Sequence, residues 1–352
     1  MSLSRSKLLM VVGTFDSLGG KRSSIGAKIS NLLCDFLPTI VNGGSYSDLD
    51  IDFRAYDVII WMPHIDNSER KIILDIKRVN PTVLLISSKR IDGRSYSDFE
   101  LVGRLLKNRS GLGIVIDAST NPYSFKLIDP LGNIYVDTSS IPDFVVVLSR
   151  RVTEILSYTR LPSIRRGARI EDVTVEDAFI DKIKVFGNRF TELVNAVNPE
   201  RFLGNASTRC MAGFPSARKG RWVLVSRRNV NKETITCEDF VQIPLDSLRV
   251  VYYRGAYKPS IDTPIHLELY RHFLNINYIV HGHVYLKDAP TTSHNIPCGC
   301  VEEFKDVCEV FKDVTIKSGI LNLKGHGCLI MVNKLEQLDN IELISRPLLE
   351  KN

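Results

Sequence analysis

The sequence predicts a two-domain α/β protein whose first domain is a doubly wound, mostly parallel sheet. Three observations predict it. The chain has 352 residues, more than one core commonly organises. Over residues 1–160, short apolar runs alternate with helix-spaced segments, as in successive β-α units. Residues 161–175, within "LPSIRRGARIEDVTVE", break that alternation with charge, a Pro and a Gly, as a linker does.

The elements of the first domain follow in order. "KLLMVVG" is a buried strand ending at Gly13, and "SSIGAKISNLLCDFL" has helical spacing. "PTIVNGG" and "YDVIIWMP" are strands, the second leading to the helical "NSERKIILDIKRV". "TVLLIS", the helical "SDFELVGRLLKN" and "GLGIVID" continue the alternation. "FKLIDPLGNIYVD" reads as a hairpin turning at "PLGN", and "IPDFVVVLSRRVTEILSYTR" closes with an amphipathic helix. Near-continuous apolar strands, each followed by a helix, give a Rossmann/flavodoxin-like domain as the expectation, with a nucleotide as its possible ligand. The loop "GTFDSLGGKRSSIG" could cradle a phosphate through its amides, helped by Lys21, Arg22, Ser23 and Ser24. It matches neither the dinucleotide fingerprint nor the P-loop, so an ordinary βα turn is the other reading. His64 and Asp66 fall at the same carboxyl edge of the sheet.

The second domain, residues 176–352, opens with the helix "EDAFIDKIKVFGNRFTELVNAV". Strand-like runs follow at "RWVLVSR", "DFVQIPL", "NYIVHGHVYL", "GILNLKG" and "GCLIMVN". Composition is ordinary for a globular protein, at 44% hydrophobic and 24% charged. A net charge of +6 suits anionic small molecules and gives no sign of specific nucleic-acid binding. No run approaches the ~18 apolar residues of a membrane span. The N-terminus leads into a strand instead of a signal peptide, and seven cysteines lack framework spacing, so the expected home is cytoplasmic.

Six of the seven histidines lie between His266 and His326. On a strand, His281 and His283 project to one side, where two imidazoles can take two corners of a divalent metal site. His326, flanked by glycines in "KGHGCLIM", is the third candidate ligand. Asp262 opens a helix, "SIDTPIHLELYRHF", that leads into the His-Gly-His strand, so its carboxylate could serve as ligand or base. The bland alternative is a histidine pair satisfied by core hydrogen bonds. His266 and His272 read as packing or surface residues. His294, Cys298, Cys300 and Cys308 in "HNIPCGCVEEFKDVC" could form a separate structural zinc site, but loop thiols are the default.

"KPSIDTPIHLELYRHFLNINYIVHGH" resembles the central motif of the class II aldolase and adducin family, including ribulose-phosphate 4-epimerase and fuculose-phosphate aldolase. "GNASTR" at Gly204–Arg209 resembles the family's substrate-binding segment, and "KGHGCLIM" its late His-Gly strand. The resemblance implies a three-layer α/β/α domain, with Zn2+ the expected divalent ion on His281, His283 and His326. It also implies Asp262 as acid/base or fourth ligand, and Asn205, Ser207 and Ser260 as substrate contacts. In such proteins the sites lie at subunit interfaces of tetramers, so a homo-oligomer is expected. Ser226 survives at the family's phosphate loop, but Arg227, Arg228 and Asn229 replace the rest, leaving Arg228 as a candidate anion contact. Ile261 stands where a second serine is common. The distal acid of the epimerases has no clear equivalent, and the tyrosine-bearing C-terminal helices are missing, with Tyr285 a possible substitute.

The expected function is a metal-dependent lyase cleaving a C–C bond in a phosphorylated or nucleotide-linked sugar through a metal-stabilised enediolate. The alternatives are a non-catalytic adducin-like binding protein and a sugar-phosphate epimerase.

Overall fold

The computed structural model describes residues 6–65, 69–93, 96–165, 175–194, 202–209 and 222–345. The chain divides into two compact units between Thr153 and Glu154.

The first unit runs β1 (Leu8–Asp16), α1 (Ser24–Leu32), β2 (Thr39–Ser45), β3 (Val58–His64), α2 (Glu69–Val79), β4 (Leu84–Ile91), α3 (Asp98–Asn108), β5 (Leu112–Asp117), β6 (Ser124–Ile128), β7 (Ile134–Thr138) and α4 (Ile141–Ser157). Its seven strands form one sheet in the order β2-β1-β3-β4-β5-β6-β7. The first five are parallel, and β6 and β7 add an antiparallel edge. The "PLGN" hairpin is therefore present. Its turn is tied by the Asp129 carboxylate, which accepts from the amides of Leu131 and Asn133. β1, β3 and β4 bury almost every apolar side chain, which explains why their sequences run apolar without alternation. Ser23 caps α1 by accepting from the Gly26 amide, and Ser97 with Glu100 forms a capping box on α3.

The loop after β1 is built as a turn held by its own groups. The amides of Thr14, Gly20, Lys21 and Ser23 donate to Lys21 O, Gly44 O, Thr14 Oγ1 and Asn42 Oδ1. These donors are committed to the loop itself, which favours the βα-turn reading over a phosphate cradle. His64 is exposed at the end of β3, and Asp66 lies outside the described residues.

The second unit runs β8 (Ser163–Arg165), α5 (Asp177–Val194), β9 (Asn205–Arg209), β10 (Trp222–Ser226), β11 (Phe240–Pro244), β12 (Val251–Tyr253), α6 (Thr263–His272), β13 (Tyr278–Gly282), β14 (Tyr285–Leu286), α7 (Glu303–Val310), β15 (Ser318–Leu323), β16 (Gly327–Val332) and β17 (Leu343–Ile344). Six strands make an antiparallel sheet in the order β11-β10-β9-β13-β16-β15. Successive residues of a strand face opposite sides. Accordingly Leu224, Val280, Ile330 and Val332 pack with Phe179, Ile183 and Phe186 of α5. Val223, Ile279, Leu329 and Met331 pack with Leu267, Leu269 and Tyr270 of α6 and Val307 of α7. The layering is helix, sheet, helix. Part of the stretch expected as linker is ordered strand, because β8 pairs in parallel with β12.

Two glycines set the approach of β13 to the start of β16. A Cβ on Gly327 would lie 2.0 Å from the Gly282 carbonyl oxygen, and one on Gly282 would lie 2.3 Å from Cζ of Phe190. The side of Gly282 away from the histidines is filled by the Phe190 ring. The clash at Gly327 is with backbone, so it cannot be relieved by a side-chain rotation. Gly327→Ala is expected to lower unfolding stability by about 1–3 kcal/mol or more, measured by urea denaturation of the full chain.

Candidate metal centre

β13 brings His281 to the α6 side of the sheet and ends at Gly282. His283 follows in a bend just past the strand, so the pair does not share one strand as the spacing predicted. The two rings still converge. His326 sits in the tight turn between β15 and β16, where its amide donates to Leu323 O. The ring centroids of His281 and His283 are 5.1 Å apart, those of His281 and His326 4.6 Å, and those of His283 and His326 5.1 Å. All three side chains are buried.

The outer nitrogens are held by the protein. His281 Nδ1 lies 2.8 Å from Cys328 O, a group that only accepts, so Nδ1 carries the proton and Nε2 presents its lone pair. His326 Nδ1 lies 2.8 Å from the buried Glu303 Oε1. Among the described residues, His281 Nε2 and His326 Nε2 have no hydrogen-bond partner. Buried polar nitrogens are rarely left so, and ligand atoms from all three histidines lie within 4.8 Å of one another. Oriented neutral imidazoles, with second nitrogens anchored on a carbonyl and a carboxylate, fit a divalent ion such as Zn2+.

Asp262 precedes α6 but makes no side-chain cap to it. Its Oδ2 accepts from Asn205 Nδ2 at 2.8 Å and lies 3.9 Å from His281 Nε2. Its Oδ1 is buried without a partner among the described residues. The register of β9 against β13 sets Asn205 opposite His281, which explains how the "GNASTR" segment reaches the cluster.

The other predicted residues divide. Ser260 approaches Asp262, with Oγ 3.5 Å from Oδ2. Ser207 turns into the core, where its hydroxyl meets His266 Nδ1 at 2.6 Å and the Tyr270 hydroxyl at 3.0 Å. Ser226 is fully buried and accepts from the Ala206 amide. Neither serine offers a free hydroxyl to a substrate. Arg228 is exposed, and its amide donates to Lys258 O. Tyr285 braces the His326 turn by accepting from the Gly325 amide at 2.9 Å. His266 is a buried packing residue, as expected, and His272 stacks edge-on with Phe273 and Phe304. The separate zinc site is not assembled among the described residues: His294 pairs with Asp306 at 2.9 Å, and Cys298 belongs to a different group.

Sequence reasoning missed Glu303 and Lys232 as neighbours of the cluster and put Cys298 only in a separate zinc site. Glu303 is only 2% exposed. Cys298 has its sulfur within 4.8 Å of ligand atoms on Asp262 and His326. Lys232 is buried, and its Nζ donates to Phe202 O at 3.2 Å. Burial pushes the Lys232 ammonium down to about 7, against the opposing pull of Asp262. No local pattern marks these positions, because a turn lysine and a helical glutamate are ordinarily solvated.

Residues 199–329 match the family model described as Class II Aldolase and Adducin N-terminal domain, so the C-terminal unit carries a domain of that kind. A curated relative, the methylthioribulose-1-phosphate dehydratase of Acidiphilium cryptum, is 26% identical over 111 residues. That match covers 32% of this chain and 47% of the relative, so the chain spans about half the length of the curated relative it matches. Among solved structures, an L-fuculose 1-phosphate aldolase superposes with a TM-score of 0.34 and 15% identity, covering 47% of this chain and 80% of that one. A DNA/pantothenate metabolism flavoprotein from Streptococcus pneumoniae gives a TM-score of 0.36 and 13% identity, covering 42% of this chain and 99% of that one. No helix among the described residues is long and apolar enough to cross a membrane.

Two predictions follow from the protonation of the cluster. Burial, followed by His326, pushes His281 down to about 3, so it is neutral at any working pH. Burial also opposes charge on His326, but the adjacent Cys298 and Glu303 outweigh it and hold that imidazole well above its ordinary range. The metal-free site therefore carries a proton on His326 that an ion must displace. Zinc binding at pH 7 is expected to release at least one proton, that of this histidine, with affinity falling as pH falls. Calorimetry in buffers of differing ionisation enthalpy reads the proton count. Glu303→Ala, which removes the anchor of His326 Nδ1, is expected to weaken zinc affinity about 10–100-fold, measured by competition with a chromogenic chelator.

Proposed function

We propose that this chain is a metal-dependent lyase that cleaves a C–C bond in a phosphorylated sugar at the His281–His283–His326 cluster. The observation that carries the reading is the convergence of three buried imidazoles beside an uncapped, partly unpartnered Asp262. His281, His283 and His326 would hold the ion, with Zn2+ suited to an all-imidazole set. When bound, it supplies Lewis-acid stabilisation of negative charge developing on substrate oxygen.

The remaining work falls to side chains. Asp262 is the acid/base group: Asn205 holds Oδ2 in place and leaves Oδ1 to take or return a proton. Ser260 steadies the same carboxylate. Because Ser207 and Ser226 serve the core, recognition of the phosphate falls to charge. Arg228 and Lys258 are exposed on adjacent segments joined by the Arg228 amide and Lys258 carbonyl, and Lys258 is close in sequence to Ser260 and Asp262. The names of two relatives, a methylthioribulose-1-phosphate dehydratase and an L-fuculose 1-phosphate aldolase, support a sugar phosphate as the substrate class. The 2-1-3-4-5 parallel order supports reading the first unit as flavodoxin-like, and a homo-oligomer is our reading of the assembly.

The test is metal analysis of the purified chain, followed by coupled detection of aldehyde release from a panel of sugar phosphates. His281→Ala is expected to lose both metal and cleavage. Asp262→Asn should retain metal while kcat drops about 10²–10⁴-fold. Bound metal with no aldehyde release from any substrate would leave a binding protein as the better reading, and release of water in place of aldehyde would mark a dehydratase.

A further inference from the structure

We propose that Cys298 is a fourth protein donor to the ion, giving this chain a site of three imidazoles and one thiolate. The inference rests on the metal reading above and deepens it. Cys298 is the one cysteine that joins a converging group of ligand atoms among the described residues. Its sulfur, a carboxylate oxygen of Asp262 and a ring nitrogen of His326 lie within 4.8 Å of one another. His326 belongs to this group and to the three-histidine group alike, so the two sets meet at one imidazole. His281 Nε2 and His326 Nε2, at 2% and 0% exposure, are the unpartnered buried nitrogens of the same cluster.

The loop that carries Cys298 is docked toward Asp262 by a close backbone approach. Gly299 adopts φ +80°, and a Cβ there would lie 2.6 Å from the Ile261 carbonyl oxygen. The backbone after Cys298 thus touches the residue before Asp262, an approach that only glycine permits. The turn is closed by the Cys300 amide donating to Pro297 O at 3.3 Å. The other cysteines near the site face different tasks. Cys328 accepts from His281 Nδ1 through its carbonyl, and burial pushes its thiol up to about 12. Burial pushes the Cys300 thiol up to about 11.

The chemistry of the set narrows the ion. A coordinated thiol gives up its proton, and thiolate with imidazole selects zinc over the oxygen-seeking magnesium and manganese. With Cys298 as the donor, Asp262 keeps its hydrogen bond from Asn205 and stays free for proton transfer, and a substrate oxygen would enter as a fifth ligand.

The experiment is cobalt substitution of the full chain, read by absorption. Cobalt bound by three imidazoles gives visible d–d bands, and a thiolate donor adds a near-ultraviolet sulfur-to-cobalt charge-transfer band. The wild-type protein is expected to show both, with Cys298→Ser and Cys298→Ala each losing the charge-transfer band and keeping d–d absorption. Visible bands without charge transfer in the wild type would overturn the thiolate donor and leave the histidine site standing. A charge-transfer band that survives both substitutions would likewise overturn it. Failure of the wild type to bind cobalt or zinc at all would overturn the metal reading, and this inference with it.

Discussion

The site depends on how closely two backbones and one aromatic ring approach the His281–His283 segment. Gly204, with φ +83°, would place a Cβ 2.6 Å from the His281 carbonyl oxygen. Gly327 would place one 2.0 Å from the Gly282 carbonyl oxygen and 2.8 Å from the His283 Cα. Phe190 closes the face of Gly282. The segment is thereby walled by glycine backbone before β9, by glycine backbone at the start of β16 and by an aromatic ring from α5. Each of the two backbone walls brings one functional group with it. The approach of Gly204 precedes Asn205, and that of Gly327 follows His326. Ligands placed by strands and by turns that cannot widen are held more tightly than ligands on free loops.

Close packing also creates an electrostatic problem. Asp262, Glu303, Lys232, His281 and His326 are all buried in the same region. Burial pushes the Glu303 carboxyl up, while the neighbouring His326 pulls it down. Buried charges persist only when paired or bound to an ion. In the metal-free protein the Glu303–His326 pair answers one carboxylate, and Asn205 answers part of another. His281 Nε2 still presents a lone pair and Asp262 Oδ1 has no partner among the described residues, and both call for a cation. A core built for stability alone would gain by replacing such groups with apolar side chains of similar volume. Their retention together in one pocket is the physical case for a bound ion.

Much of this was legible in the sequence. Apolar runs gave the parallel strands of the first unit, and "VHGH" with "KGHGC" gave the three imidazoles and the glycines between them. What the sequence could not convey was side-chain direction. Asn205 and Ser207 stand on one face of β9, yet Asn205 meets Asp262 while Ser207, two residues on, meets His266 and Tyr270 of α6. The difference comes from what α6 presents along its length, a tertiary fact with no local signature. Lys232 and Glu303 were hidden for the same reason: each is polar in a segment whose pattern is that of a solvated turn or helix. His283 was placed on the strand by a period of two, but β13 ends before it, and the bend turns its ring back toward His281.

The behaviour of Asp262 separates a site from a satisfied core. An aspartate at the start of a helix ordinarily caps it, at about 0.5–2 kcal/mol of stability. Asp262 does not cap α6 through its side chain. The helix start is supported otherwise: Pro264 occupies the first turn, where no amide is needed, and Thr263 Oγ1 donates to Ser260 O at 2.7 Å. The carboxylate is instead turned to Asn205 and His281, where one oxygen stays without a partner. The stabilisation a cap would give is forgone at this position. Such exceptions to local preference are expected where a group is held for chemistry. The same chain that satisfies Ser207 and Ser226 fully leaves Asp262 and two imidazoles unfinished, and all three unfinished groups face one another.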